Sequence, residues 1–259
     1  MTLLINGNFS LRMTVFYRIL NSIGLIGVLV VNYLANALPI NGYTTGELSA
    51  LYPNLFVPAG ITFAIWGLIY LFLIAFTISQ WTPWGKPVAS TVKAYFFISC
   101  LLNSSWILAW HYRQVVFSVL IMFALLITLI KLYRLTKSVD QTWYFKLFSA
   151  IPFSIYLGWI CVATIANFTT MLVDLDLQPV YPEIWPAIML AITQLLVFGV
   201  NRRKANLAYS LTIIWAIGGI ILKQSQQDGP ELIIYTGYAC IGLTTLMYVI
   251  AALRQHWAG

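Results

Sequence analysis

Ile61-Thr62-Phe63-Ala64-Ile65-Trp66-Gly67-Leu68-Ile69-Tyr70-Leu71-Phe72-Leu73-Ile74-Ala75-Phe76-Thr77-Ile78-Ser79-Gln80 holds no charged residue. A helix of about 20 predominantly apolar residues is what crosses the hydrocarbon of a bilayer. The same reading finds seven further runs, Ile19–Leu38, Val92–Trp110, Val115–Leu132, Phe148–Met171, Trp185–Val200, Leu207–Leu222 and Ile233–Leu253. The runs are continuous and long. The strands of a membrane barrel would alternate in short segments, so these are helices. The first run has no small-residue cleavage site and reads as a true span. The expected fold is an all-α integral membrane protein with eight transmembrane helices.

Composition points the same way. The chain of 259 residues is 61% hydrophobic and 8% charged, with a mean hydropathy of +0.85. A soluble domain carries about 25% charged residues, and disorder needs still more charge and less apolar surface. Short loops between eight spans leave no room for a soluble catalytic domain. The net charge of +7 does not form a basic face or arm, so nucleic acid is excluded as a partner.

The basic residues set the topology instead. Arg12, Arg18, Lys86, Lys93, Lys131, Arg134, Lys137, Lys146, Arg202, Arg203, Lys204 and Arg254 fall on one side, which is 12 of the 14. Only Arg113 and Lys223 fall on the other, together with every acid except Asp140. The positive-inside rule then predicts that both termini are cytoplasmic. The expected location is a bacterial inner membrane or its equivalent.

No Asp, Glu or Lys lies near the middle of a span, so a buried carboxylate relay for ion pumping is not expected. GxxxxGK[ST], HExxH and GxSxG are absent. His111 stands at the outer end of the third run and reads as an interfacial anchor rather than a haem ligand. Cys100, Cys161 and Cys240 lie inside apolar runs without metal-ligand spacing and read as small buried residues. No catalytic residue, no metal site and no firm cofactor is expected.

The interior is instead rich in aromatic side chains, with 10 Trp, 15 Tyr and 15 Phe. Trp81, Trp84, Trp143, Trp185 and Trp257 fall at span ends and read as interfacial belt residues. Three segments differ. Phe56-Val57-Pro58-Ala59-Gly60 leads directly into a helix with Trp66 and Tyr70 one turn apart. Leu102-Asn103-Ser104-Ser105-Trp106 puts an amide and an indole on one face. Trp159, Ala163 and Asn167 form a stripe at every fourth residue, preceded by Tyr156. Aromatic walls with a few amides suit a flat apolar ligand, whereas the plainer reading is helix packing in which amides join spans.

Together these segments resemble the TspO/MBR family, the tryptophan-rich sensory proteins related to the mitochondrial translocator protein. That family carries W-x-x-L-Y after a double proline on its second helix, L-N-x-x-W on its third and P-Y…W-x3-A-x3-N on its fifth. Trp66 to Tyr70, Leu102 to Trp106 and Trp159 to Asn167 answer to these in the same helix order. There are departures. The double proline is Pro58-Ala59, and Pro152 stands seven residues before Trp159 rather than four. The family usually stops at five helices, and this chain has three more.

The motifs cover roughly residues 20–171. We therefore expect a TspO-like five-helix bundle over residues 1–171 and three additional transmembrane helices over 172–259. The resemblance implies a helical pocket for a flat hydrophobic ligand, with Pro58, Trp66, Tyr70, Asn103, Trp106, Tyr156, Trp159, Ala163 and Asn167 as ligand-binding residues. In the family the ligands are porphyrins and other tetrapyrroles, or sterols; an isoprenoid is a further option. The leading expectation is a membrane receptor or carrier holding a porphyrin or other tetrapyrrole. The alternatives are a structural or assembly subunit of a larger membrane complex, and a porphyrin-modifying enzyme. Membrane lipids and a homodimer or larger membrane assembly are the expected partners.

Overall fold

The computed structural model describes residues 2–38, 40–83, 85–137, 142–177, 181, 183–202 and 204–258. Trp84, Asp140 and Arg203, which entered the reading of span ends and sidedness, lie outside them. The secondary structure of the described residues is helical throughout. The helices are α1 (Thr2–Ala37), α2 (Thr45–Ala50), α3 (Ile65–Ser79), α4 (Lys86–Val92), α5 (Tyr95–His111), α6 (Val115–Lys137), α7 (Trp143–Phe145), α8 (Ile151–Asp174), α9 (Ile184–Asn201), α10 (Leu207–Gln226) and α11 (Glu231–Ala258). A 3-10 turn, Gly60–Ala64, runs into α3, and a π turn, Lys146–Ala150, joins α7 to α8.

Among the described residues, seven helical stretches are long and apolar enough to cross a membrane: Arg12–Ala37, Gly60–Ser79, Val115–Lys137, Trp143–Asp174, Ile184–Asn201, Leu207–Gln226 and Glu231–Trp257. These overlap seven of the eight expected spans. The remaining one, read as Val92–Trp110, is occupied by α5, which has 17 residues. The start of that helix differs from the sequence expectation. Val92 ends α4, and Lys93 at φ 49 breaks the backbone before α5 begins at Tyr95. A non-glycine residue with positive φ cannot continue a right-handed helix.

The π turn before α8 has a local cause. Pro152 has no N–H to give the carbonyl of Phe148 and its ring crowds that carbonyl, so the regular ladder is interrupted there. Thr142 caps the start of this segment by accepting the Phe145 N–H, and Asn206 caps α10 by accepting the Tyr209 N–H at 3.1 Å. Hydroxyls inside the spans bond back to their own helices, Thr164 to the Ile160 carbonyl and Thr193 to that of Met189. Such pairing removes the cost of a polar group in hydrocarbon.

The chain forms two compact units, Met1–Thr45 with Gly67–Tyr156, and Gly46–Trp66 with Leu157–Gly259. In the first, α5 packs against both α1 and α6. Gly24 permits the close approach of α1 to α5, since a Cβ there would fall 2.8 Å from the Phe97 ring. Phe76, Phe96 and Phe153 form a wholly buried triangle with centroids 4.8 to 5.9 Å apart, every pair edge to face. In the second unit α11 packs against α9 and α10. Outward faces are apolar: Ile23, Ile26 and Val30 on α1 and Phe117, Leu120 and Ile127 on α6 are all at least 50% exposed, a surface that suits lipid.

Candidate functional site

The second unit holds the aromatic cluster. Trp159, on α8, is buried at 3% exposure. Its indole meets Trp66 at 6.2 Å and Phe63 at 5.7 Å between centroids, both nearly perpendicular. Edge-to-face pairs of this kind contribute about 0.5–1.5 kcal/mol beyond area burial. The Trp159 indole N–H is buried and has no hydrogen-bond partner among the described residues. Ala163 and Asn167 follow one and two turns later on the same helix, the first half-buried and the second buried. Pro58 is buried in the loop leading to the 3-10 turn.

That loop is fastened to α10. The Ala59 N–H donates to the Gly219 carbonyl at 2.9 Å. Trp215 Nε1 donates to the Thr62 carbonyl at 2.9 Å, and Gln224 Nε2 to that of Leu55 at 2.8 Å. Lys223 Nζ reaches the Asn54 carbonyl at 3.3 Å. Asn54 itself donates to Thr169 Oγ1 on α8 at 2.6 Å and accepts the Phe56 N–H at 2.8 Å. A side chain at Gly219 would collide with Thr62, so glycine is what allows the turn to lie against α10.

These α10 residues lie outside the motifs, and sequence reasoning missed them. The glycine pair Gly218-Gly219 inside an apolar helix was the one available signal. It marks close approach but names no partner.

The first unit holds a polar chain. Asn32 Nδ2 donates to the Val28 carbonyl at 2.9 Å and to Asn103 Oδ1 at 3.0 Å. Asn103 Nδ2 donates to Tyr156 Oη at 3.0 Å. All three residues are buried. Tyr70, on α3, is half-buried. Trp106 is stacked on Trp110, with centroids 6.2 Å apart and planes at 21°. The motif residues Tyr70, Asn103, Trp106 and Tyr156 thus belong to this unit, and Asn32 joins them without having been singled out by sequence.

His111 is buried here as well. Its Nδ1 lies 3.0 Å from the Ile40 carbonyl and its Nε2 3.1 Å from Thr45 Oγ1. A carbonyl can only accept, so Nδ1 carries a proton. Asn41, at φ 58, donates to the His111 carbonyl at 3.0 Å. The histidine therefore fastens the turn after α1, and both ring nitrogens are engaged in doing so. The cysteines are buried and unbridged; Cys161 Sγ accepts the Tyr209 hydroxyl at 3.5 Å.

Comparison with known proteins agrees with the motifs. No curated protein and no solved structure matches the chain. The sequence model of the family described as TSPO-like protein matches residues 18–250. The match takes in α9, α10 and most of α11, where the motifs alone carried no family signal. This multi-pass chain belongs to the TSPO-like family, of the TspO/MBR type.

Proposed function

We propose that the protein is a membrane receptor or carrier for a flat hydrophobic ligand, with a tetrapyrrole such as a porphyrin the foremost candidate. The observation that carries this reading is the Trp159 cluster. Two rings, Trp66 and Phe63, stand edge to face on a buried indole whose N–H has no partner among the described residues. A flat ring can stack on indole faces, and a buried donor without an acceptor costs about 1–3 kcal/mol. A ligand with ring nitrogens or carboxylates can supply an acceptor.

In this reading the Pro58 loop closes the site and α10 holds that loop. α5 completes eight spans. At about 1.5 Å per residue its 17 residues reach about 26 Å, close to the ~30 Å hydrocarbon thickness. Both termini are then cytoplasmic by the distribution of Lys and Arg, in a bacterial inner membrane or its equivalent.

The test is a titration of the purified protein with protoporphyrin IX, followed by quenching of tryptophan fluorescence. Saturable quenching in the wild type, weakened about tenfold or more in Trp159→Ala, is expected for the loss of a central aromatic contact. Absence of saturable quenching would remove the proposal.

A further inference from the structure

The first unit places three of its cations over aromatic rings. Arg18 Cζ lies 5.8 Å from the centroid of Trp81. Lys131 Nζ lies 5.9 Å from that of Tyr95, and Lys137 Nζ 5.0 Å from that of Tyr133. These pairs share one end of the unit. Asn21, one turn beyond Arg18, donates to Gln80 Oε1 at 3.0 Å and accepts the Phe97 N–H at 3.2 Å. It therefore joins the middle of α1 to the end of α3 and the start of α5.

Arg18 is the sharpest case. Its Nε and Nη2 are buried and have no hydrogen-bond partner among the described residues. Those two nitrogens form the side edge of the guanidinium, the fork that takes two oxygens of a single oxyanion. Nearby, Gln80 Nε2 is another buried donor without a partner. Trp81, 49% exposed, is held beside the fork by donating to Ser22 Oγ at 3.2 Å, and Ser22 in turn donates to the Arg18 carbonyl at 2.9 Å. Phe16 and Ile19, flanking Arg18 in sequence, are 53% and 47% exposed.

Two unpartnered guanidinium nitrogens call for an acceptor with negative charge. Exposed apolar side chains next to them call for a molecule that also carries acyl chains. The start of an apolar span is where phospholipid headgroups lie. We propose that this end of the first unit binds an acidic phospholipid, with one phosphate group accepting from the Arg18 fork and the Lys131 ammonium group supplying attraction at longer range. The proposal stands apart from the ligand of the Trp159 cluster.

The test uses the full-length protein in nanodiscs of phosphatidylcholine with and without phosphatidylglycerol, with retained lipid counted by native mass spectrometry. Phosphatidylglycerol should be retained over phosphatidylcholine. Arg18→Gln should reduce that retention about fivefold, from the ~1 kcal/mol that each near-surface cation contributes. Lys131→Gln should reduce it less, while Lys223→Gln, in the other unit, should leave it unchanged. If Arg18→Gln fails to fold, the wild type still decides the matter. Retention should collapse at about 1 M salt, where the screening length is about 3 Å. Equal retention of both lipids, indifference to salt, or equal retention in a folded Arg18→Gln protein would overturn the proposal. Displacement of the lipid by inorganic phosphate alone would reassign the site to a free anion and overturn it as well.

Discussion

Single side chains give separate tests of stability and of binding. Asn103 bridges two buried side chains: it accepts from Asn32 and donates to Tyr156. Asn103→Leu should therefore destabilise the protein by about 1–3 kcal/mol, because a buried hydrogen-bonded group loses its partner, and a lowered Tm in detergent would record it. Ala163 stands in contrast. It is half-buried one turn from Trp159, so Ala163→Leu should crowd that face of α8 and weaken porphyrin binding while the Tm stays near that of wild type. Unchanged porphyrin affinity in Ala163→Leu would count against a ligand beside Trp159. The sequence could pair Trp159, Ala163 and Asn167 because helical period alone places them on one stripe. It could not pair Asn32 with Asn103, because residues 71 apart meet only through the packing of α1 on α5.

At the scale of elements, the turn before α3 and the helix α10 act together. Three main-chain carbonyls and one N–H of the segment from Asn54 to Thr62 are engaged by α10, and Gly219 leaves the room for it. Gly219→Leu should push Thr62 away from α10 and free the loop. A cysteine placed at exposed Pro53 (Pro53→Cys) should then react faster with a maleimide than in the Gly219 background, and porphyrin affinity should fall with it. An unaltered labelling rate would show that α10 does not hold the loop. Spans were legible because apolar length is a local property: seven expected runs overlap seven helical stretches. The start of α5 was not, because nothing in Val92-Lys93-Ala94 announces that Lys93 adopts φ 49. The π turn at Lys146–Ala150 was equally hidden, although Pro152 supplies its cause.

For the whole molecule, the motifs on α3, α5 and α8 suggested a family over about residues 20–171, and the family match runs from 18 to 250. The contacts that α10 makes to the segment from Asn54 to Thr62 join residues 153 to 169 apart in the chain, a pairing that no local sequence pattern shows. Sidedness is a separate property of the whole chain. A cysteine introduced at Asp176 should be labelled from outside intact cells, and one at Lys204 only after permeabilisation; the reverse pattern would overturn the orientation set by Lys and Arg. The account as a whole rests on a ligand meeting the Trp66 and Trp159 indoles. Its most direct test is an experimental structure of the protein with bound protoporphyrin IX. The account predicts the macrocycle within van der Waals contact, about 4 Å, of Trp159. A macrocycle held elsewhere, with Trp159 and Trp66 still closed on each other and untouched, would contradict it.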